Sequence, residues 1–253
     1  MHINLKISII TAVHNRKDTL AQAIESVQSQ SYQNIEHIIQ DGGSNDGSLD
    51  IIKDNSDART FLQSMPDGGI YDAINKGISR AQGEVIGLLH SDDFLASKDV
   101  ISKIANAMAD PKIDGVYGDL QYVSAQDHFK VVRHWKAGFY TKKRLQCGWM
   151  PPHPTVYLRR EVFDRLGVYD VRYKIAADYD AMLRYLGDGN VRMAYVPEVL
   201  VKMRTGGVSN QSLGHIVRKS AEDYAALRSN KMGGFGALVM KNAQKIIQFI
   251  RTG

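Results

Sequence analysis

Short apolar runs alternate with amphipathic segments along the first hundred residues of the chain. Apolar runs of the kind found in buried strands occupy 6–13, which is rich in β-branched residues, 35–41 and 84–90, and residues 59–64 are a possible third strand. Apolar residues recur at helical spacing over 15–30, in a short stretch ending near Asp54, over 69–81 and over 97–109. Asp18 or Thr19 is the expected N-cap of the first helix. This alternation predicts a parallel sheet flanked by helices.

The hydrophobic pattern changes after residue 115. Two segments with short alternating patterns, 115–124 and 129–135, predict an antiparallel excursion from the parallel sheet. Residues 136–154 hold three of the six prolines of the chain and predict an irregular loop. The remaining predicted elements are helices at 161–167 and 178–188 and strands at 191–196 and 198–203.

Composition is that of an ordinary globular protein. Of the 253 residues, 43% are apolar and 23% are charged, which is enough for a sizeable core. The lone Cys147 excludes an intrachain disulfide and a multi-cysteine zinc site, and it is expected to be a buried, inert thiol in a reducing compartment. The first residues lack the basic start and the cleavage site of a signal peptide, and no apolar run is long enough to span a membrane. We therefore expect a cytoplasmic protein.

The net charge of +5 belongs to the C-terminal part of the chain. Residues 215–253 hold seven Lys or Arg and two acids, whereas the other residues hold 25 of each sign. This asymmetry predicts a main domain over 1–212 and a basic helical extension over 213–253. The charge is modest and no nucleic-acid motif accompanies it, so nucleic acid is not an expected partner.

Residues 235–251 predict a basic amphipathic helix. Its apolar face would comprise Phe235, Leu238, Val239, Ile246, Phe249 and Ile250, and its polar face Lys241, Gln244, Lys245, Gln248 and Arg251. Such a helix is typical of peripheral contact with a membrane surface, here the inner face of the cytoplasmic membrane. The alternative is a helix that packs on the body of the protein or on a second subunit of a homodimer.

Carboxylates mark the predicted ends of the strands, where open α/β sheets bind their ligands. Asp41 ends the second strand, and Asp92 and Asp93 follow the fourth. The segment after the first strand has no glycine, which excludes a dinucleotide fingerprint, and Ser48 stands where a P-loop needs lysine.

Asp92 and Asp93 are adjacent, and like charges at this distance repel each other. A divalent cation such as Mg²⁺ or Mn²⁺ would relieve the repulsion and would also bind substrate phosphates. The alternative is that these two residues cap the helix that begins near Ser97.

Four motifs, in order, resemble the inverting family 2 glycosyltransferases, which have the GT-A fold. They lie at 8–48, 69–93, 176–185 and 201–212, and the resemblance covers about residues 4 to 212. It implies a GT-A type, Rossmann-like, mostly parallel sheet with flanking helices, in addition to the antiparallel excursion and the helical tail.

The resemblance also implies a nucleotide-sugar site, with a UDP-linked sugar as the expected donor. Asp41 would accept a hydrogen bond from the base. The other implied nucleotide-sugar residues are Thr11, Ala12, Val13, Asn15, Arg16, Asp67, Lys76, Asp92 and Arg204.

In the family's divergent D-x-D element, Ser91 stands at the first acidic position. The resemblance then implies that Asp92 faces the ribose or the metal and that Asp93 binds the metal and the diphosphate. Gly206 stands where many relatives have a histidine, so few protein ligands remain for the metal. His153 is a further candidate there, although a histidine beside prolines is more often structural or part of an acceptor loop.

Asp178 matches the catalytic base of the family's Glu-Asp pair, in which Ala177 replaces the glutamate. Direct attack by a hydroxyl group requires a carboxylate that accepts the proton. The alternative is an ordinary acid in the first turn of a helix, a position that Asp180 would suit as well.

The expected function is transfer of a sugar to a lipid-linked or oligosaccharide acceptor, which would meet residues 136–154, in bacterial surface polysaccharide synthesis. A sugar nucleotidyltransferase is a second hypothesis, but residues 11–18 lack the glycine- and arginine-rich loop that it would need. A third hypothesis is a non-catalytic nucleotide-sugar-binding protein, for which Ala177 and Gly206 are the only indications.

Overall fold

A mixed sheet forms the centre of the protein in a computed structural model that describes residues 4–206, 213–234, 236–239 and 241. Within these residues the strands are Ile7–Val13 (β1), Ile35–Asp41 (β2), Thr60–Ser64 (β3), Val85–Leu88 (β4), Phe94–Leu95 (β5), Gly115–Val123 (β6), Val131–Trp135 (β7), Tyr157–Arg159 (β8) and Met193–Arg204 (β9). Their order is β3-β2-β1-β4-β8-β6-β9-β5, and β7 pairs with β6.

Helices cover both faces of this sheet. They are Lys17–Gln28 (α1), Ser48–Asn55 (α2), Ile70–Arg80 (α3), Val100–Ala107 (α4), Lys142–Gln146 (α5), Arg160–Leu166 (α6), Ala177–Gly187 (α7) and Leu213–Ser229 (α8), with a 3₁₀ turn at His153–Thr155. β1 to β4 are mutually parallel, and β8 lies antiparallel between β4 and β6. The predicted alternation of strands and helices is confirmed, and so is the antiparallel β6–β7 excursion.

Alternate residues of β1 enter two different core layers. Ile9 packs in a layer that contains α1 and α4, whereas Ile10 packs in a layer that contains α3 and α7. Gly77 of α3 lies so close to Ile10 that a Cβ atom would not fit between the helix and the strand. Each isoleucine buried in this way contributes roughly 1.5–3 kcal/mol, so the apolar runs fix the sheet in the core.

Four local expectations are wrong. Residues 136–154, expected to form an irregular loop, contain α5 and the 3₁₀ turn. The N-cap of α1 is Arg16, without a side-chain cap, because the Thr19 hydroxyl donates instead to the carbonyl of Ser91, 2.9 Å away. Residues 191–196 and 198–203 belong to the single strand β9, which passes Pro197 through a shift of its register with β6. Pro197 lacks an N–H donor, so the ladder skips it rather than ending there. Cys147 is only partly buried.

The described part of the C-terminal extension packs on the body of the protein. Glu222 of α8 accepts hydrogen bonds from the amides of Ile175 and Ala176, at 2.8 and 3.0 Å. Ala226, Leu227 and Leu238 belong to the same core cluster as α7. No helix among the described residues is long and apolar enough to cross a membrane.

The predicted helix at 235–251 lies mostly outside the described residues, which include only 236–239 and 241 of it. Lys241, expected on the solvated face, is 4% exposed, and its Nζ lies 2.7 Å from Asp223 Oδ1. Val239, expected on the buried face, is 50% exposed. The ion pair gives Lys241 a partner inside the protein, which a pattern of apolar residues does not reveal. The membrane contact through this segment stays a prediction.

His37 makes the stability of the sheet depend on pH. It is buried in β2, its Nε2 lies 2.9 Å from Thr11 Oγ1, and burial lowers its pKa from 6.5 to about 4. The unfolded chain therefore binds a proton between these two pH values that the native protein does not bind. Stability rises with pH wherever the unfolded state binds more protons.

We expect the free energy of unfolding to fall by about 3 kcal/mol on account of His37 as the pH decreases from 6.5 to 4. Urea unfolding followed by circular dichroism at several pH values measures this slope. His37→Leu should show a shallower slope than the wild type, whereas His14→Gln, at an exposed position, should not. Equal slopes for His37→Leu and the wild type would contradict the assignment.

Candidate active site

The carboxyl ends of β1, β2 and β4 meet at one edge of the sheet. Val13 pairs with Asp41, so β1 and β2 end side by side, and Leu88 of β4 pairs with Ile10 of β1. The acidic residues that follow these strands are therefore collected in one region.

Asp41 organises the turn after β2. Its Oδ2 accepts hydrogen bonds from the amides of Gly43 and Ser44, at 3.0 and 3.1 Å, and from the Ser64 hydroxyl, at 2.6 Å. Burial alone would raise the pKa of Asp41, but these hydrogen bonds outweigh it and hold the pKa below its ordinary value. Asp41 is thus an ionised, fully buried anchor at the strand end. Its contact with a base stays a prediction.

The segment after β1 is joined to the turn after β2. Asn15, with a φ of 53°, accepts a hydrogen bond from the Asn45 amide at 3.0 Å, and its own amide donates to Ser44 Oγ at 2.8 Å. The Arg16 amide donates to Ser48 Oγ at 2.8 Å. These bonds make one rigid platform of the two loops.

Of the predicted residues in β1, Thr11 and Val13 turn their side chains into the core, whereas Ala12 is partly exposed. Only Ala12 among these three could present its side chain to a ligand.

Asp67 and Lys76 belong to the neighbouring turn. The Asp67 carboxylate lies so close to Gly42 that a Cβ atom there would clash with it, and its Oδ1 accepts from the Gly69 amide at 2.8 Å. Lys76 Nζ lies 2.9 Å from Asp72 Oδ2 and donates to the carbonyl of Pro66 at 3.2 Å. Asp67 therefore borders the platform, while Lys76 holds the turn that carries Asp67.

Asp92 and Asp93 differ sharply in their surroundings. Asp93 is 1% exposed, its Oδ1 accepts from the Arg204 amide at 3.2 Å, and its Oδ2 has no hydrogen-bond partner among the described residues. Burial and the charge of Asp92 raise the pKa of Asp93 well above its ordinary value. Asp92 is only partly buried. Neither residue caps α4, which begins after Asp99. Asp92 is thus the carboxylate with solvent access, and Asp93 lies behind it.

The Arg204 side chain fixes the turn that carries Asp92 and Asp93, which we name the acidic turn. Its guanidinium donates to the carbonyl oxygen of Asp92 and to Gln22 Oε1, and it lies 5.1 Å from the ring centre of Phe94. Burial lowers the pKa of Arg204, although the nearby Asp93 and Asp92 oppose this shift. The end of β9, the turn and α1 are therefore connected through one side chain.

The carboxylate oxygens of the acidic turn supply some of the ligands that a hard divalent cation needs, but not all of them. An unpartnered, buried carboxylate oxygen on Asp93 behind a partly exposed carboxylate on Asp92 offers the oxygen ligands that Mg²⁺ and Mn²⁺ prefer. The described residues contain no group of three or more His, Cys, Asp or Glu side chains that could hold a metal ion. Any cation would thus need further oxygen ligands, such as substrate phosphates.

Asp178 stands in the first turn of α7 and is partly exposed. Its Oδ1 accepts from the Tyr179 amide at 2.8 Å and lies 3.4 Å from the Tyr71 hydroxyl. Burial alone would raise the pKa of Asp178, but His153, Lys219 and the Tyr179 amide hold it below its ordinary value. Asp178 is therefore ionised at neutral pH and can accept a proton.

Asp180, rather than Asp178, is the acid with a purely structural role in the first turn of α7. It is 5% exposed, its Oδ2 lies 3.2 Å from Arg184 Nη2, and its Oδ1 accepts from Asn230 Nδ2 at 2.8 Å. Both carboxylate oxygens are satisfied within the protein, unlike those of Asp178.

His90 and a chain of aromatic side chains connect the acidic turn to Asp178. The ring centres of His90 and His153 are 6.2 Å apart, and His153 Nε2 lies 2.8 Å from the Tyr169 hydroxyl. Tyr169 stacks on Tyr71, whose hydroxyl reaches Asp178. Burial lowers the pKa of His90, and it lowers that of His153 to about 4, so both rings are neutral at pH 7.

Sequence reasoning missed His90 and Tyr71. His90 could have been found, because it directly precedes Ser91 at the end of an apolar strand. Tyr71 gives no such signal, since its contact with Asp178 spans 107 positions of the chain.

Comparisons with known proteins agree on one family. The sequence model described as Glycosyl transferase family 2 matches residues 8–167. An uncharacterized glycosyltransferase of Mycobacterium tuberculosis is 31% identical over 181 residues, which are 70% of this chain and 68% of that protein. The UDP-Glc:alpha-D-GlcNAc-diphosphoundecaprenol beta-1,3-glucosyltransferase WfaP of Escherichia coli is 28% identical over 218 residues, 85% of this chain and 84% of that protein.

Solved structures share the fold at low sequence identity. The crystal structure of S. aureus TarS 1–349 with UDP-GlcNAc has a TM-score of 0.68 at 16% identity and covers 89% of this chain, which spans 65% of that chain. The mannosyltransferase PcManGT from Pyrobaculum calidifontis with GDP-Man and Mn²⁺ has a TM-score of 0.64 at 15% identity, over 99% of this chain and 76% of that one. These likenesses bear on the fold alone, and they confirm the predicted GT-A type arrangement.

Two matched substitutions should separate the two carboxylates of α7. Asp180→Asn places an amide N–H₂ group against Arg184 or Asn230, which are both donors, so the free energy of unfolding should fall by roughly 1–3 kcal/mol. Asp178→Asn retains an acceptor for the Tyr179 amide and should change it by less than about 1 kcal/mol. Urea unfolding of both variants measures the difference, and a larger loss in Asp178→Asn would reverse the assignment of roles.

Proposed function

The chain belongs to glycosyl transferase family 2 and is a glycosyltransferase, and from this premise we propose that it acts with inversion on a nucleoside-diphosphate sugar. The observation that carries the proposal is Asp178, a partly exposed carboxylate with a depressed pKa, joined through aromatic side chains to the acidic turn. The family match favours this function over a sugar nucleotidyltransferase and over a non-catalytic binding protein.

The proposed chemistry is a single displacement at the anomeric carbon. The acceptor oxygen forms a bond to this carbon while the bond to the diphosphate oxygen breaks, and the leaving group takes the bonding electrons. Asp178 accepts the hydroxyl proton of the acceptor as general base. Attack on the face opposite to the leaving group inverts the configuration of the carbon.

The donor in this proposal is a UDP-linked sugar bound along the edge of the sheet. The platform of Asn15, Arg16 and the turn after Asp41 would border the nucleotide. Support comes from the names of similar proteins, since WfaP is named for UDP-Glc and the TarS structure contains UDP-GlcNAc.

A Mg²⁺ or Mn²⁺ ion would be held by Asp92 and Asp93. The sequence resemblance implies that Asp93 is the main metal ligand, but the exposure of the two side chains favours Asp92. Asp92, the more exposed, would be the main ligand, and the unpartnered Oδ2 of Asp93 would support the ion from behind. When bound, such an ion supplies positive charge that stabilises the departing diphosphate. Arg204 would position both carboxylates through its bonds to the turn.

We assign the acceptor to the class of lipid-linked or oligosaccharide hydroxyl compounds, in the synthesis of a bacterial surface polysaccharide or glycolipid. Support comes from relatives of the chain: the name of WfaP specifies a diphosphoundecaprenol acceptor, and a relative in Mycobacterium bovis is named a PGL/p-HBAD biosynthesis glycosyltransferase. The acceptor would meet the loop at 136–154.

Asp178→Asn should lower the rate of sugar transfer at least about a thousandfold, because the amide cannot accept the proton. Binding of the donor should remain, since Asp178 is assigned to the acceptor side. Transfer is measured with radiolabelled donor sugars, and donor binding is measured by isothermal titration calorimetry. A variant that transfers sugar at the wild-type rate would disprove the role of Asp178 as base.

Asp92→Asn should abolish the stimulation of UDP binding by Mn²⁺, because the exposed carboxylate is the proposed main ligand. Asp93→Asn should weaken this stimulation less, and Asp67→Asn, which alters an acid beside the platform, should retain it. Calorimetric titrations with UDP in the presence and absence of Mn²⁺ test this order. If the loss were confined to Asp93→Asn, Asp93 would be the principal ligand instead.

A further inference from the structure

The charged side chains on the stretch from His128 to Arg144 are all positive, and we name this stretch the basic edge. It has no Asp or Glu, although residues 1–214 as a whole hold equal numbers of basic and acidic residues. Its basic residues are Lys130, Arg133, Lys136, Lys142, Lys143 and Arg144. The basic edge is therefore a second concentration of positive charge, separate from the extension.

Large apolar side chains on the same stretch are unusually exposed. Phe129 is 80% exposed, Phe139 74%, Val132 52% and Val131 47%. A single exposed apolar residue is ordinary, but several on one stretch indicate an interaction surface.

These residues follow one border of the sheet. β7 pairs with β6 alone among the described strands, and its partners run from Val123, opposite Val131, to Leu120, opposite Trp135. The chain then continues along the border, where the Phe139 ring meets Tyr195 of β9 with centres 5.2 Å apart. The exposed apolar and basic side chains are thus distributed along a continuous edge.

The turn that precedes β7 adjoins the candidate active site. The His128 ring stands edge-on to the ring of Phe94, with centres 5.9 Å apart, and Phe94 directly follows Asp93. The neighbouring Phe129 ring lies 4.2 Å from that of His128. A partner bound to the basic edge would therefore lie close to the acidic turn.

We propose that the basic edge docks the protein on an anionic lipid bilayer. Exposed phenylalanine rings insert at the boundary between head groups and acyl chains, and lysine and arginine side chains attract anionic head groups. The stretch offers both kinds of group, with six basic residues against the single neighbouring acid Asp127, whose carboxylate accepts from the Phe129 amide at 3.0 Å.

A second copy of the chain fits this surface less well. Strand edges that carry lysine and arginine resist pairing with another edge, and a two-fold axis would bring like charges together. The proposal concerns binding alone, so it does not rest on the chemistry assigned to Asp178. It also differs from the expected membrane contact through residues 235–251.

The test is sedimentation of the full-length protein with vesicles of phosphatidylcholine, with and without phosphatidylglycerol. We expect binding to the anionic vesicles that weakens as salt increases. Phe129→Ser combined with Lys130→Glu should lower the partition constant at least about tenfold, because it removes one inserted ring and reverses one charge.

A matched control lies at the opposite edge of the sheet. Phe61 of β3 is 48% exposed, and Lys53 lies on α2 with a largely exposed side chain. Phe61→Ser combined with Lys53→Glu makes the same chemical change there and should leave binding unchanged. Circular dichroism melting of both double variants verifies that they remain folded.

Three outcomes would overturn the proposal. The Phe129–Lys130 double variant could bind anionic vesicles as the wild type does. Binding could instead be lost on Phe249→Ser combined with Ile250→Ser, which would assign the contact to the C-terminal segment. Sedimentation velocity could also reveal a dimer that the Phe129–Lys130 variant disrupts, in the absence of any vesicle binding, which would make the edge an interface between copies.

Discussion

The contact between Arg204 and the acidic turn is the constraint on which the geometry of the site depends. A turn that carries two adjacent carboxylates is electrostatically unfavourable, and without a cation nearby it would tend to open. The guanidinium of Arg204 bonds the backbone of Asp92 and the side chain of Gln22, while its amide bonds Asp93. Arg204, at the end of β9, therefore helps to set the positions of both carboxylates. β9 thus contributes to a site that lies at the carboxyl ends of β1, β2 and β4.

The two ends of the site have opposite electrostatics, and each suits the chemistry proposed there. Burial and the charge of Asp92 raise the pKa of Asp93. A bound cation would offset both effects, because its positive charge favours the ionised carboxylate. Nearby cationic and polar groups lower the pKa of Asp178, which keeps that carboxylate ready for a proton. His90 and His153 lie between the two ends and are neutral at pH 7, and His153 lowers the pKa of Asp178 only through the charge that it gains at acid pH. The same residue type is thus adapted to two roles by its surroundings alone.

The sequence predicted those features that depend on neighbours along the chain. Apolar periodicity located β1, β2 and the helix between them, because each of these elements buries an apolar face. It failed where distant contacts decide. Pro197 does not end β9, because the unpaired residues of β9 bulge while its pairing with β6 continues on both sides, and Lys241 is buried because it forms an ion pair with Asp223. The unequal exposure of Asp92 and Asp93 depends on Arg204, 111 residues beyond Asp93, so neither motif nor spacing could reveal it.

The register shifts between β6 and β9 also make chain length a determinant of the site. Partners in the two strands are 78 residues apart at Gly118 and Val196, 80 apart at Asp119 and Val199, and 81 apart at Leu120 and Val201, so the register shifts by two residues at Pro197 and by one more at Leu200. An odd total shift exchanges the two faces of a strand, so these two irregularities together decide which side chain of β9 arrives opposite the acidic turn. A deletion or insertion of one residue between Val196 and Val199 would therefore act as an active-site mutation, although no catalytic group would be altered.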